Sequence, residues 1–196
     1  ISKLRSQLRS VGFLPATVLE VVSKQLSGAC QLVVDTGLFC TVAEHIWQSR
    51  KYGEFLCSSN GRYMGTAVPM AIGASIGAPH QPTVLVTGDG GIGMYFAEFR
   101  IAIERALPVL VLFFSDGGFG SIGSVAEKQQ IDASIVRINN PSWAASLRSL
   151  GMDGVIASCL EHVSDGLNSW DKSGGPIFIE CRFDPDQYRC MVDKIR

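Results

Sequence analysis

The sequence predicts an α/β chain: a doubly wound, mainly six-stranded parallel sheet with helices on both faces. Three observations point there. Hydrophobic residues make up 46 % of the 196, and 21 more are glycine, which suits a sheet buried on both sides. The strand-like stretches are continuous apolar runs rather than alternating ones, Pro108–Phe114 being the purest. Helical patterns separate these runs, as strand–helix–strand crossovers require.

The elements follow in order. Ala16–Leu26 puts Val18, Leu19, Val22 and Leu26 on one helical stripe. Gln31–Val34 is a short buried strand, 43–50 a helix stopped near Gly53, and 55–58 the next strand. Small residues fill 65–78, which predicts a helix packed close against its neighbours before Pro79 and Pro82 interrupt it. Thr83–Thr87 is a strand, Met94–Ala106 the crossover helix, and 108–114 the central strand. A glycine-rich loop spans 117–123, and Asn140-Pro141-Ser142 caps a helix through Leu150. Strand 155–157, helix 161–170 and strand 176–183 complete the pattern.

This length suits one domain over 15–196, with 1–14 as a linker or extension. A net charge of −1 argues against a nucleic-acid surface, and Lys3, Arg5 and Arg9 read as a solvated face. No apolar run approaches the ~18 residues of a membrane span, and no signal peptide is visible. The six cysteines form no C-x-x-C pair and read as free thiols in a reducing cytoplasm. His45, His80 and His162 read as structural, and none is assigned a catalytic role.

The chemistry concentrates at two strand ends. One strand runs into Gly88-Asp89-Gly90-Gly91-Ile92-Gly93, and the next ends at Ser115-Asp116-Gly117-Gly118. In a right-handed crossover both acids emerge at the carboxyl edge of the sheet, where open α/β sheets bind ligands. The first segment also spells the dinucleotide fingerprint G-x-G-x-x-G. Asp89 is the objection to that reading. A carboxylate beside a pyrophosphate at a helix N-terminus repels it unless a divalent cation lies between, and Mg²⁺ prefers such hard oxygen ligands.

Gly88-Asp89-Gly90, then a helix, a strand and a polar pair before Gly117-Gly118-Phe119-Gly120, resembles the G-D-G…N-N signature of thiamine diphosphate enzymes. The resemblance runs from about Pro15 to Tyr188, to the diphosphate-binding domain of the acetolactate synthase and 2-oxo acid decarboxylase family. Val34-Asp35-Thr36-Gly37 resembles the first cofactor loop, and Met64-Gly65 with Pro69 and 71–74 the second. Met94, Glu98 and Leu107-Pro108-Val109 fall where the family places them.

The resemblance implies thiamine diphosphate and Mg²⁺ as cofactors. It makes Asp89, Asp116 and the Gly118 carbonyl the metal ligands, with Asp at 116 where the family usually has Asn. Thr36, Gly37 and Leu38, the loop Gly88, Gly90, Gly91 and Ile92, and Phe119 become cofactor contacts. Gly91 stands where many members have Ser. Met64 props the cofactor in its bent form, and Arg62, where relatives often have Gly, offers its backbone to the aminopyrimidine. Asn60 and Arg62 line the substrate side. Ile122 stands where the yeast-type pyruvate decarboxylase group places a catalytic Glu, which leans toward carboligases or a different proton relay.

No catalytic residue is expected on this chain, because the family's activating glutamate comes from a separate pyrimidine-binding domain. The implied protein is an oligomer with that domain or subunit and acts on a small 2-oxo acid. The chain is either a subunit of a split enzyme, as in sulfopyruvate decarboxylase-like heteromers, or part of a longer polypeptide. An oxidative 2-oxo acid enzyme of the iron–sulfur type lacks the cysteine clusters it needs here. Two other classes stay open: a nicotinamide-dependent dehydrogenase with Asp116 on a ribose, and a non-catalytic assembly module that retains the fold.

Overall fold

The computed structural model describes residues 8, 12–27, 29–58 and 61–193. Most of the stretch 1–14 and Asn60 therefore lie outside the described residues. The elements run α1 (Pro15–Gln25), β1 (Gln31–Val34), α2 (Leu38–Ile46), β2 (Phe55–Cys57), α3 (Ala67–Gly77) and β3 (Thr83–Gly88). They continue through α4 (Asp89–Ile92), a 3₁₀ segment (Gly93–Glu98), α5 (Phe99–Glu104), β4 (Val109–Ser115), α6 (Gly120–Lys128) and α7 (Trp143–Ser149). The chain closes with β5 (Asp153–Ala157), α8 (Leu160–Ser169), β6 (Ile177–Arg182) and α9 (Pro185–Asp193).

The six strands are all parallel, in the order β2-β1-β3-β4-β6-β5. Period-2 alternation divides the core between the two faces. Leu32, Val34, Val84, Val86, Leu110, Leu112 and Phe114 pack under α1, α2, α8 and α9. Val33, Leu85, Val109, Val111 and Phe113 pack under α3, α5 and α7. Leu110 and Leu112 lose all exposure, and full burial of each such side chain is worth about 1.5–3 kcal/mol. Leu8 and Leu14 also belong to the first face. Among the described residues no helix is long and apolar enough to cross a membrane.

Four expectations are adjusted, each for a physical reason. Helix α2 begins at Leu38 rather than Ala43, because Leu38, Phe39, Cys40, Val42 and Ala43 form its buried face. The crossover from β3 to β4 is three pieces rather than one helix. Three glycines fill its first five residues and weaken helix there, and Tyr95 leaves helical geometry at φ −130°. The loop expected over 117–123 turns at Gly117 (φ 81°) and becomes α6 three residues later. Finally α9 follows β6, packed by Tyr188, Met191 and Val192.

The chain leaves β1 for β2 on one side and returns with β3 on the other, so the winding reverses between β1 and β3. That crevice is where a doubly wound sheet binds its ligand. Asp35, Asp89 and Asp116 each follow directly on β1, β3 and β4, three carboxylates along one edge.

Candidate functional site

A cleft of about 160 Å³ opens at this edge. Thr36, Gly37, Leu38, Met64, Gly88, Asp89, Gly90, Gly91, Asp116, Gly118 and Phe119 all line it, joined by Ile122 and Tyr188. The structure thus brings together nearly every residue singled out in the sequence. Two stand apart. Ile92 is wholly buried beneath the loop. Arg62 points away from the cleft and pairs with Glu44 at 3.2 Å. The backbone at Arg62 is left-handed, at φ 48°, which is the geometry that favours Gly at this position.

Glycine does steric work here. A Cβ on Gly90 would lie 2.5 Å from the Phe119 ring and 2.6 Å from the Met64 sulfur. A Cβ on Gly91 would fall 1.9 Å from Asp35 Oδ2, so that carboxylate fills the place of a side chain at 91. On Gly120 it would fall 2.1 Å from Asp116 Oδ2. Backbone N–H groups of the one-turn α4 and the first turn of α2 are left without intrahelical partners, as at any helix start.

Asp89 is the best-connected carboxylate. Its Oδ1 accepts from the Ser115 hydroxyl at 2.8 Å and the Asn140 amide at 2.5 Å. Its Oδ2 accepts from the backbone N–H groups of Asp116 and Gly117, at 2.9 and 3.1 Å. Burial first, and the charge of Asp89 second, push the Asp116 carboxyl up to about 7. Among the described residues no cluster of three His, Cys, Asp or Glu side chains makes a complete metal cage. The two acids can hold a hard cation only if other oxygens complete its shell.

Sequence reasoning missed three supports. Asp35, buried at the end of β1, accepts from Gly65 N at 2.8 and 2.9 Å and from the Thr87 hydroxyl at 3.3 Å. It fixes the backbone just after Met64, and burial raises its carboxyl above the usual range. The segment Asn140-Pro141-Ser142 caps α7 as expected, through Ser142, which accepts from Ala145 N; that Asn140 reaches Asp89 was not foreseen. Tyr188, on an unforeseen helix, closes the inner wall of the cleft. Only Asp35 carried a local signal, its place in the first loop.

Residues 35–181 match the thiamine pyrophosphate enzyme family, C-terminal TPP binding domain. The chain belongs to that family. Its thiamine pyrophosphate domain is 28 % identical to the sulfoacetaldehyde acetyltransferase of Castellaniella defragrans, over 78 % of this chain and 26 % of that enzyme. It is also 28 % identical to the acetolactate synthase of Bacillus subtilis strain 168, over 80 % of this chain and 29 % of that enzyme. The thiamine diphosphate-dependent 4-hydroxybenzoylformate decarboxylase of Rhodococcus jostii RHA1 shares the fold, with a TM-score of 0.80 at 17 % identity. That match covers 89 % of this chain and 34 % of that one. The chain thus spans about a quarter to a third of the relatives it matches.

Proposed function

We propose that this chain holds the diphosphate and Mg²⁺ of thiamine diphosphate in a cytoplasmic 2-oxo acid decarboxylase or carboligase of the acetolactate synthase type. One observation carries the reading: residues 36–38, Met64, 88–91, Asp116 and 118–119, drawn from separate stretches of the resemblance, line a single cleft at the point where the sheet's winding reverses. The residues suit the group. Gly90 and Gly91 let Met64, Phe119 and Asp35 close directly on the loop backbone, and the unpaired N–H groups at the start of α4 suit an anion. Asp89, Asp116 and the Gly118 carbonyl are hard oxygen donors of the kind Mg²⁺ takes, with phosphate oxygens completing the shell.

When bound, the cofactor supplies a thiazolium carbon that acts as nucleophile and electron sink toward a 2-oxo acid. The chain's own residues then have separable tasks. Thr36 offers a hydroxyl and Gly37 and Leu38 their backbone to the diphosphate. Met64, fixed by the Asp35–Gly65 contact, sets the angle between the cofactor's two rings. Phe119 and Ile122 present apolar surface to the open side.

A partner is part of the reading. The cleft itself offers about 160 Å³, below the ~300–1,000 Å³ of most ligand sites, which suits a half-site that a second surface completes. The only ionisable side chains lining the cleft among the described residues are Asp89, Asp116 and Tyr188. The activating glutamate is then the partner's, from a pyrimidine-binding domain or subunit in an oligomer. The dehydrogenase alternative loses ground because Asp89 sits inside the phosphate loop. Six free thiols suit a reducing compartment.

Native mass spectrometry of the protein purified from its source in Mg²⁺ buffer tests this. The expected species carries thiamine diphosphate, Mg²⁺ and a pyrimidine-binding domain, in the same chain or a second one. Binding of NAD in EDTA, with no thiamine diphosphate bound in Mg²⁺, would overturn the reading.

A further inference from the structure

Tyr188 lies on α9, with only 1 % of its surface exposed. Its ring is held edge-on by Phe183, with centroids 5.7 Å apart, and its helix is fastened from both sides. Asp184 accepts from the N–H groups of Asp186 and Gln187 at its start. Arg189 and Asp193 form ion pairs with Glu127 and Lys128 of α6. The ring thus has little freedom, and the residue lines the cleft together with Gly37, Leu38 and Phe39. There the oxygen is buried and has no hydrogen-bond partner among the described residues. The backbone of Phe39 approaches it without hydrogen-bond geometry, and the charges of Asp116 and Asp89 act on it.

A buried hydroxyl without a partner weakens a fold, and a phenylalanine of the same shape would remove that cost. Burial and the two carboxylates also hold the group in its protonated form, so it enters the cleft as a donor. What it lacks is an acceptor oxygen, and the cleft its residue lines is the one assigned to an oxygen-rich anion.

We propose that Tyr188 is a cofactor-contact residue, its hydroxyl donating a hydrogen bond to an oxygen of the bound Mg²⁺–diphosphate group, a role that rests on the cofactor reading above. The C-terminal helix thereby becomes one wall of the diphosphate site. The contact comes from an element that carries no phosphate-binding motif.

The test compares the full chain with its Tyr188→Phe variant, using Mg²⁺ with inorganic pyrophosphate and Mg²⁺ with thiamine diphosphate as probes in calorimetric titrations. The ligand-free variant should melt at the wild-type temperature or above it, because only an unpaired hydroxyl has gone. Its affinity for both probes should fall about tenfold, the worth of one hydrogen bond to a charged acceptor. Equal affinities in the two proteins, or a ligand-free variant that melts well below wild type, would overturn the assignment and leave the cofactor reading standing. Failure of the wild type to bind either probe would overturn both. A second readout needs no substitution. With ¹³Cζ-labelled tyrosine, the Tyr188 resonance should shift when Mg²⁺-pyrophosphate is added, and a resonance that stays put through saturation refutes the contact.

Discussion

Replacing Glu180 by alanine should remove about 3–4 kcal/mol of stability, because this carboxylate anchors the segment that reaches the site. Glu180 sits in the middle of β6 and is 1 % exposed. It accepts from Ala144 N at 2.9 Å, in the first turn of α7, and more weakly from the Ser142 hydroxyl at 3.4 Å. Losing a buried charge-assisted bond of the first kind costs about 1.5–3 kcal/mol, since the N–H is left without a partner. Arg182 binds the other oxygen at 2.8 and 2.5 Å. Its side chain is 53 % exposed, so screening by water limits that pair to about 0.5 kcal/mol. The cavity left by truncation adds about 1 kcal/mol. Urea unfolding measures the sum directly, and a thermal melt should show a fall of about 6–16 °C for a domain of this size. Glu180→Gln keeps an acceptor for Ala144 and should lose only about 1–2 kcal/mol. An alanine variant within about 0.5 kcal/mol of wild type would refute the reasoning.

Three further outcomes are expected. The Asp116 carboxyl is raised to about 7 by burial and by Asp89, and a cation binds only its ionised form. Mg²⁺ affinity should therefore rise about tenfold per pH unit up to that value and flatten above it; a flat calorimetric profile across neutral pH would contradict this. By the same shift the Asp116 carboxyl contributes to the stability of the metal-free fold fully below the ordinary carboxylate range, and that contribution is lost as pH rises toward 7. Arg62→Gly should leave stability equal or raise it by up to about 1 kcal/mol. Relief of the left-handed backbone at φ 48° outweighs an exposed pair with Glu44; a loss of more than about 1 kcal/mol in urea would count against it.

What the sequence revealed, and what it hid, follows from the range of the forces involved. A parallel sheet buried on both faces writes itself as unbroken apolar runs, so Val109–Ser115 and Ile177–Arg182 were legible as strands. Asp89 and Asp116 were legible because glycines surround them and backbone geometry is a local property. Helix α2 was misplaced at its start, since Leu38-Phe39-Cys40 is too short an apolar run to distinguish helix from strand. Gly120 was read as loop, although its missing side chain makes room for Asp116 inside a helix start. Asn140 and Tyr188 meet the site from far along the chain. Nothing near either residue in sequence announces such a meeting, because tertiary folding alone creates it.

The four donors on Asp89 come from three stretches of chain: the end of β4, the turn after it, and the segment ahead of α7. One carboxylate thus ties three stretches into a single mechanical unit, and its two oxygens divide the labour. A cation held by Asp89 would compete with Asn140 and Ser115 for one oxygen, while the other could keep the amides of the turn. Loading a metal would then be an exchange of partners inside a standing frame rather than the assembly of one. The amides of Asp116 and Gly117 should resist hydrogen exchange through that event, while Asn140 loses one partner on a segment that Glu180 still anchors.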